Sequence, residues 1–230
     1  MGKDVIIACD FNSQKETMDF LEAFGNERPF LKIGMELYYA EGPSIVRKLK
    51  ERGHKIFLDL KLHDIPNTVR KSMSVLKELG ADIVNLHAAG TIEMMKAAME
   101  GVAGENRPLV IAVTQLTSTS ESRMRDELLI NATLEDTVIK YAENAKAAGL
   151  DGVVCSPLEV GLIHSKVGSD FITVTPGVRF AGGAVGDQVR VTTPEKAKEL
   201  GSDYIVVGRP ITQAEDPVAA WKRCVSEFND

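Results

Sequence analysis

Cysteine is scarce in this chain of 230 residues: Cys9, Cys155 and Cys224 are the only three. Odd in number and widely spaced, they form neither a disulfide framework nor a zinc-ligand pattern. Cys9 and Cys155 sit beside apolar strand residues and read as small buried hydrophobes. No apolar run approaches the length of a membrane span, and Met1-Gly2-Lys3-Asp4 runs straight into a strand pattern without a signal-like segment. The expectation is a cytoplasmic protein with no membrane partner. An excess of positive charge is also missing. Lys and Arg number 27 against 33 Asp and Glu, a net charge of −6, which argues against a general nucleic-acid surface. An anionic ligand would have to be met by a local basic pocket. No Gly-x-Gly-x-x-Gly turn follows the first strand pattern, which counts against a dinucleotide-binding sheet. Interdomain linkers and low-complexity tails are absent too, so one domain spanning 1–230 is expected.

What is present is a regular alternation. Val5–Cys9, Phe30–Ile33, Lys55–Leu58, Asp82–Leu86, Leu109–Val113, Gly152–Cys155, Phe171–Val174 and Tyr204–Val207 are short apolar strand patterns. Amphipathic segments lie between them, among them Ser44–Arg52, Val69–Leu79, Thr133–Ala148 and Pro194–Leu200. Gly53, Gly80, Gly149 and Gly201 each follow a helical run, as C-terminal caps do. A hydrophobic content of 44% supports a sizeable core. Eight β–α units in this length predict an α/β fold, a single (β/α)8 TIM barrel, with an open parallel sheet as the alternative. Two stretches break the rhythm and read as long loops, Thr117–Asn131 and Phe180–Val191.

The most informative stretch is Phe57-Leu58-Asp59-Leu60-Lys61-Leu62-His63-Asp64-Ile65-Pro66-Asn67-Thr68. In extended backbone Asp59 and Lys61 point to one face. Asp64 follows in the turn, and Pro66 opens a helix where its missing N–H costs nothing. For a generic Asp-x-Lys-x-x-Asp, a surface ion-pair cluster is the alternative. At the C-terminal end of a barrel strand, however, charged groups belong to the active site. Pro176-Gly177-Val178-Arg179 and Gly208-Arg209-Pro210 follow strands seven and eight, where barrels bind phosphate through backbone N–H groups and a guanidinium. Arg209 is a candidate on that ground alone, against the alternative of a solvated arginine. Asp10 and Lys32 close strands one and two. His54 and His164 read as surface residues, and His87 as a site-lining or supporting group.

Asp59-Leu60-Lys61-Leu62-His63-Asp64-Ile65-Pro66-Asn67-Thr68 resembles the motif of the orotidine 5′-phosphate decarboxylase family. Asp10, Lys32, Val113-Thr114-Gln115-Leu116-Thr117-Ser118, Thr175-Pro176-Gly177-Val178-Arg179, Gly186-Asp187-Gln188 and Gly208-Arg209-Pro210-Ile211-Thr212 are similar to further family blocks, in family order across most of the chain. The resemblance implies a carboxy-lyase that makes UMP from OMP, the last step of de novo pyrimidine nucleotide synthesis, with no cofactor and no metal. It further implies a charge network of Lys32, Asp59, Lys61 and Asp64, with Lys61 stabilising and protonating the C6 carbanion. Asp10 and Lys32 would contact the ribose, and Thr117 the pyrimidine edge. Gln188, Arg209 and the backbone of Gly208 would hold the phosphate, with Arg179 at the base of the closing loop. Asp64 and Thr68 would come from the partner of a homodimer. Asn67 would cap or steady its loop. Two other readings stand beside this one: a Mg²⁺-dependent sugar-phosphate decarboxylase or synthase of the same suprafamily, which shares Asp-x-Lys-x-x-Asp, and a non-catalytic nucleotide-binding barrel.

Overall fold

Successive residues of a strand face opposite sides, and here both sides are apolar. The computed structural model describes residues 3–181 and 192–229. Its strands are β1 (Asp4–Cys9), β2 (Phe30–Gly34), β3 (Ile56–Leu62), β4 (Ile83–His87), β5 (Leu109–Val113), β6 (Gly152–Val154), β7 (Ile172–Thr175) and β8 (Tyr204–Val207). Each pairs in parallel with the next, and β8 returns to β1 through Asp4↔Tyr204 to Ile7↔Val207. The expected (β/α)8 TIM barrel is the fold. Ile6, Ala8, Phe30, Phe57, Ile83, Ile111, Val174, Tyr204 and Val206 fill the barrel interior as one cluster. Their strand neighbours, such as Val5, Ile7, Leu31, Ile33, Leu58, Ile205 and Val207, pack outward under the helices. Among the described residues no helix is long and apolar enough to cross a membrane.

Helices form where apolar stripes recur at helical spacing. Pro43–Glu51 buries Ile45, Val46 and Leu49, and Pro66–Glu78 buries Val69, Met73 and Leu76. Leu134–Ala147 and Pro194–Glu199 also stand where amphipathic segments were expected. Pro66 opens its helix at a first-turn position, as read. The four terminal glycines all have positive φ, between 72° and 91°. At Gly53 the next amide, of His54, bonds back to Leu49 O while Gly53 N bonds to Lys50 O, and the pattern recurs at Gly149 and Gly201. These are Schellman caps, which need a residue that tolerates the left-handed region.

The caps lead into a second repeat. Gly80-Ala81-Asp82, Gly149-Leu150-Asp151 and Gly201-Ser202-Asp203 each deliver an aspartate to the start of an even-numbered strand. Each carboxylate takes the first free amide of the preceding strand: Ile56 N to Asp82 at 2.7 Å, Val110 N to Asp151 at 2.7 Å, Thr173 N to Asp203 at 2.8 Å. Three strand amides at the N-terminal rim are thereby satisfied by side chains and their neighbours by backbone carbonyls such as those of Asp82 and Asp151, and the opposite rim is where barrels place their chemistry.

Two expectations need correction. The connection after β5 is not structureless, since it contains the helix Glu121–Leu128. The Ser-rich composition that reads as loop supplies its N-cap, Ser120, whose Oγ accepts from Arg123 N. His54 and His164 are not surface groups. His54 is buried with Nδ1 3.0 Å from Pro29 O, and His164 is half-buried with Nε2 3.2 Å from Phe171 O. Both rings find buried carbonyls that local sequence does not reveal.

The aspartate rim predicts a specific cost. Asp151 also holds Arg107 by two bonds of 2.7 and 2.8 Å. Asp151→Ala strands the Val110 amide and the guanidinium together, and stability should fall by about 1–3 kcal/mol. Urea unfolding measures this; an unchanged midpoint would show that water replaces the carboxylate without loss.

Candidate active site

Parallel pairing puts the C-terminal ends of all eight strands at one mouth of the barrel. A cavity of about 580 Å³ opens there. Around the rim it is lined by Asp10 after β1, Lys32 of β2, Asp59 and Lys61 of β3, and Gln115, Leu116, Thr117 and Ser118 after β5. Cys155 follows β6, Pro176, Gly177 and Arg179 follow β7, and Gly208 and Arg209 follow β8. The floor is apolar, formed by Ala8, Phe57, Val113, Val154 and Val206. Among the described residues that line the cavity, Lys32, Lys61, Arg179 and Arg209 stand with two carboxylates, Asp10 and Asp59, a basic majority in a chain of net charge −6.

One carboxylate organises the group. Asp59 Oδ1 lies 2.6 Å from Lys61 Nζ, and Asp59 Oδ2 lies 3.5 Å from Lys32 Nζ. Lys32 Nζ donates in turn to Asp10 Oδ1 at 2.9 Å. The charges therefore alternate along Asp10, Lys32, Asp59 and Lys61. Gly34 sits beside the Lys32–Asp10 pair, and a Cβ there would come within 3.1 Å of Lys32 Nζ and 3.2 Å of Asp10 Oδ1. Lack of a side chain leaves room for the pair.

The local backbone differs from the simple extended strand expected from spacing. Lys61 has a φ of 51°, in the left-handed region that non-glycine residues rarely enter. Between the pairs Leu58↔Val84 and Leu62↔Leu86 the register shifts, so that Asp59, Leu60 and Lys61 face the single residue Asn85. This β-bulge aims Lys61 into the mouth while Asp59 stays on the inward face. Asn85, buried, fills the gap: its Oδ1 accepts from Lys61 N at 2.8 Å and its Nδ2 donates to Asp59 Oδ1 at 2.6 Å. The sequence reading gave Asn85 no role. Its signal was available, a lone amide inside the apolar run Ile83-Val84-Asn85-Leu86, because a buried amide must find partners.

The structure gathers Asp10, Lys32, Asp59, Lys61, Thr117, Arg179, Gly208 and Arg209 around one cavity. Asp64 and Thr68 are exposed and do not line it. Asp64 borders a neighbouring shallow cleft with His63, Ile65, Pro66, Gly90, Thr91 and Glu93. Gln188 lies outside the described residues. Asn67 does not cap the helix start: its Oδ1 accepts from Arg70 at 3.0 Å, one turn on. His87 is absent from the cavity lining and packs against His63, ring centroids 5.7 Å apart. Cys9 is fully buried, and burial pushes its thiol up to about 12, an unreactive group as expected. Cys155 is buried too but adjoins the cavity.

Comparison with known proteins agrees across the chain. The family model for "Orotidine 5'-phosphate decarboxylase / HUMPS family" matches residues 3–224. An orotidine 5'-phosphate decarboxylase of Streptococcus thermophilus is 58% identical over 226 residues, covering 98% of this chain and 97% of that protein. One from a Geobacillus species is 55% identical over 233 residues, covering 99% of this chain and 98% of its own length. The crystal structure of orotidine 5'-phosphate decarboxylase from Lactobacillus acidophilus superposes with a TM-score of 0.90 at 43% identity, covering 99% of this chain and all of that one.

Electrostatics in the cluster follow from burial set against pairing. Burial works against the Asp59 charge, yet Lys32, Lys61 and their hydrogen bonds outweigh it and hold its pKa below the ordinary 3.8. Burial likewise disfavours the Lys32 ammonium, and Asp59 and Asp10 together raise its pKa above 10.5. A depressed carboxylate contributes stability that is fully present above its unfolded value and is lost as pH falls through the folded one. Lys32→Met removes the charge that most opposes Asp59 burial. The pKa of Asp59 should then rise, and the acid unfolding limb should move to higher pH. Circular dichroism along a pH series reads the limb; coincident limbs for parent and variant would disprove the coupling.

Proposed function

The chain belongs to the orotidine 5'-phosphate decarboxylase / HUMPS family, and we propose on that premise that it converts orotidine 5′-monophosphate to UMP and CO₂ in the cytoplasm. The observation that carries the mechanism is Asp59 held between two ammonium groups at the barrel mouth, beside a basic cavity. Breaking the bond from C6 to the carboxylate leaves an electron pair in an sp² orbital that the pyrimidine ring does not delocalise. Lys61 supplies the positive charge facing that pair and then gives it a proton, so that a C6–H bond replaces C6–CO₂⁻. The neutral lysine regains its proton from solvent. Asp59, 2.6 Å away, holds the Lys61 ammonium in place until the bond breaks. The fixed charges act where charge develops, which favours the transition state over bound substrate.

Arg209 and the backbone of Gly208 grip the phosphate from the β8 end, joined by Gln188, with Arg179 at the edge of the β7 loop. Asp10 and Lys32 meet the ribose hydroxyls, and Thr117 the pyrimidine edge. The exposure of Asp64, Ile65 and Thr68, none of them lining its own cavity, supports a homodimer in which this loop completes the neighbouring site. Asp64 would then extend the charge alternation past Lys61, and Thr68 would reach the ribose.

Loss of orotate absorbance on mixing OMP with the protein tests the activity directly. Its persistence in excess EDTA separates this reading from a Mg²⁺-dependent sugar-phosphate enzyme. A silent nucleotide-binding barrel would bind UMP and leave OMP unchanged. Lys61→Ala should remain folded and lose about 10³–10⁴-fold in kcat. Turnover near the parent rate would remove Lys61 from the chemistry.

The shared site has its own test. Lys61→Ala and Asp64→Ala should each be nearly inactive alone. A hybrid dimer of the two pairs intact Lys61 with intact Asp64 at one of its sites. Random exchange makes about half the dimers hybrids, so about a quarter of the parent activity per site should return. No recovery after exchange has been demonstrated by mass or fluorescence labelling would assign Asp64 to its own barrel.

A further inference from the structure

Lys61 stands in an unfavourable backbone state that something must hold. A left-handed residue with a Cβ is sterically strained, and such strain persists only where the surroundings over-determine it. The bulge that creates it also takes the Lys61 amide out of the regular ladder between β3 and β4. Asn85 is the one β4 residue opposite the bulged segment, and its buried side chain is used at both ends. Oδ1 takes the Lys61 amide at 2.8 Å. Nδ2 donates at 2.6 Å to the same Asp59 oxygen that binds the Lys61 ammonium.

We propose that Asn85 is a positioning residue for the proton donor: one buried amide clamps the Lys61 backbone in its bulge and aligns the carboxylate that aims the ammonium. Both ends of Lys61 are thus referred to a single group on the neighbouring strand. An apolar side chain of similar size would close the barrel equally well but offer neither bond. Asn85 does not line the cavity, so its influence on substrate passes through Lys61 and Asp59 and not through contact. The inference rests on Lys61 being the proton donor. A parent protein that fails to turn over OMP refutes that reading, whereas the comparison of variants below bears on Asn85 itself.

Two substitutions separate positioning from mere support of the fold. Asn85→Ala removes both bonds. Its kcat should fall about 100-fold, the scale set by a misplacement of about 1 Å, while KM for OMP and the affinity for UMP stay near parent values. Asn85→Asp is nearly isosteric and keeps an acceptor for the Lys61 amide, but sets a second acid against Asp59. Two adjacent carboxyl groups hold one proton between them at low pH, and that proton stands in for the lost N–H. The pH profile of kcat for Asn85→Asp should therefore gain a limb absent from the parent, activity falling as pH rises and the shared proton leaves. Thermal unfolding accompanies both. A folded Asn85→Ala with parent-like kcat, a loss expressed in KM alone, or an Asn85→Asp profile parallel to the parent each overturns the proposal. Failure of both variants to fold also overturns it, by assigning the amide to the barrel and not to the lysine.

Discussion

A negative charge buried between two positive ones is the constraint on which the site depends. Asp59 is 8% exposed, and an isolated carboxylate at such a depth would rather be protonated. Lys32 and Lys61 reverse that preference, and Asp59 with Asp10 in turn favours the charged form of Lys32 in a partly apolar mouth. Removing one partner leaves the others burdened with desolvation they no longer recover. The cluster is consequently a poor place to seek stability and a good place to hold charge ready for a reaction. The proposed chemistry needs that readiness, since no rearrangement of solvent can deliver a cation to C6 as quickly as a lysine already fixed there.

The two rims of the barrel divide the labour by the same physics. At the N-terminal rim, aspartates of three Gly-x-Asp segments take up strand amides. At the C-terminal rim the same residue type, as Asp59 and Asp10, binds the ammonium groups of Lys61 and Lys32. Asp82 and Asp151 also hold cations, Lys50 and Arg107, but there the pairs close over strand amides. At the other rim the pairs line the cavity and turn their charge toward a ligand. The phosphate-binding reading of Gly208 and Arg209 fits this division, because β8 adjoins β1 and closes the ring of basic groups around the cavity.

Strain enters the site at Lys61. The bulge in β3 lets three residues face one on β4, and Lys61 takes the left-handed conformation that results. A regular strand would still have put Asp59 and Lys61 on one face. The bulge sets the depth and direction of the lysine, and it requires an amide acceptor across the strand gap, which Asn85 provides.

Much was determined by the sequence alone. Eight apolar strand patterns separated by amphipathic segments admit few other closed arrangements, and the residues that lead the site, Asp59, Lys61, Lys32, Asp10 and Arg209, sit at strand ends where parallel pairing must bring them together. Their family likeness added proposed roles that spacing does not carry, such as those of Thr117 and Asp64. Tertiary structure decided what depends on partners distant in the chain. His54 is buried and His164 half-buried because carbonyls of Pro29 and Phe171 await them. The loop after β5 folds partly into a helix because Ser120 caps it. The left-handed turn at Lys61 and the double hydrogen bond of Asn85 exist only once β3 and β4 pair out of step. A pattern of residue types fixes which groups share a face; the register between strands, a balance of packing and hydrogen bonds over the whole barrel, sets where on that face each one ends.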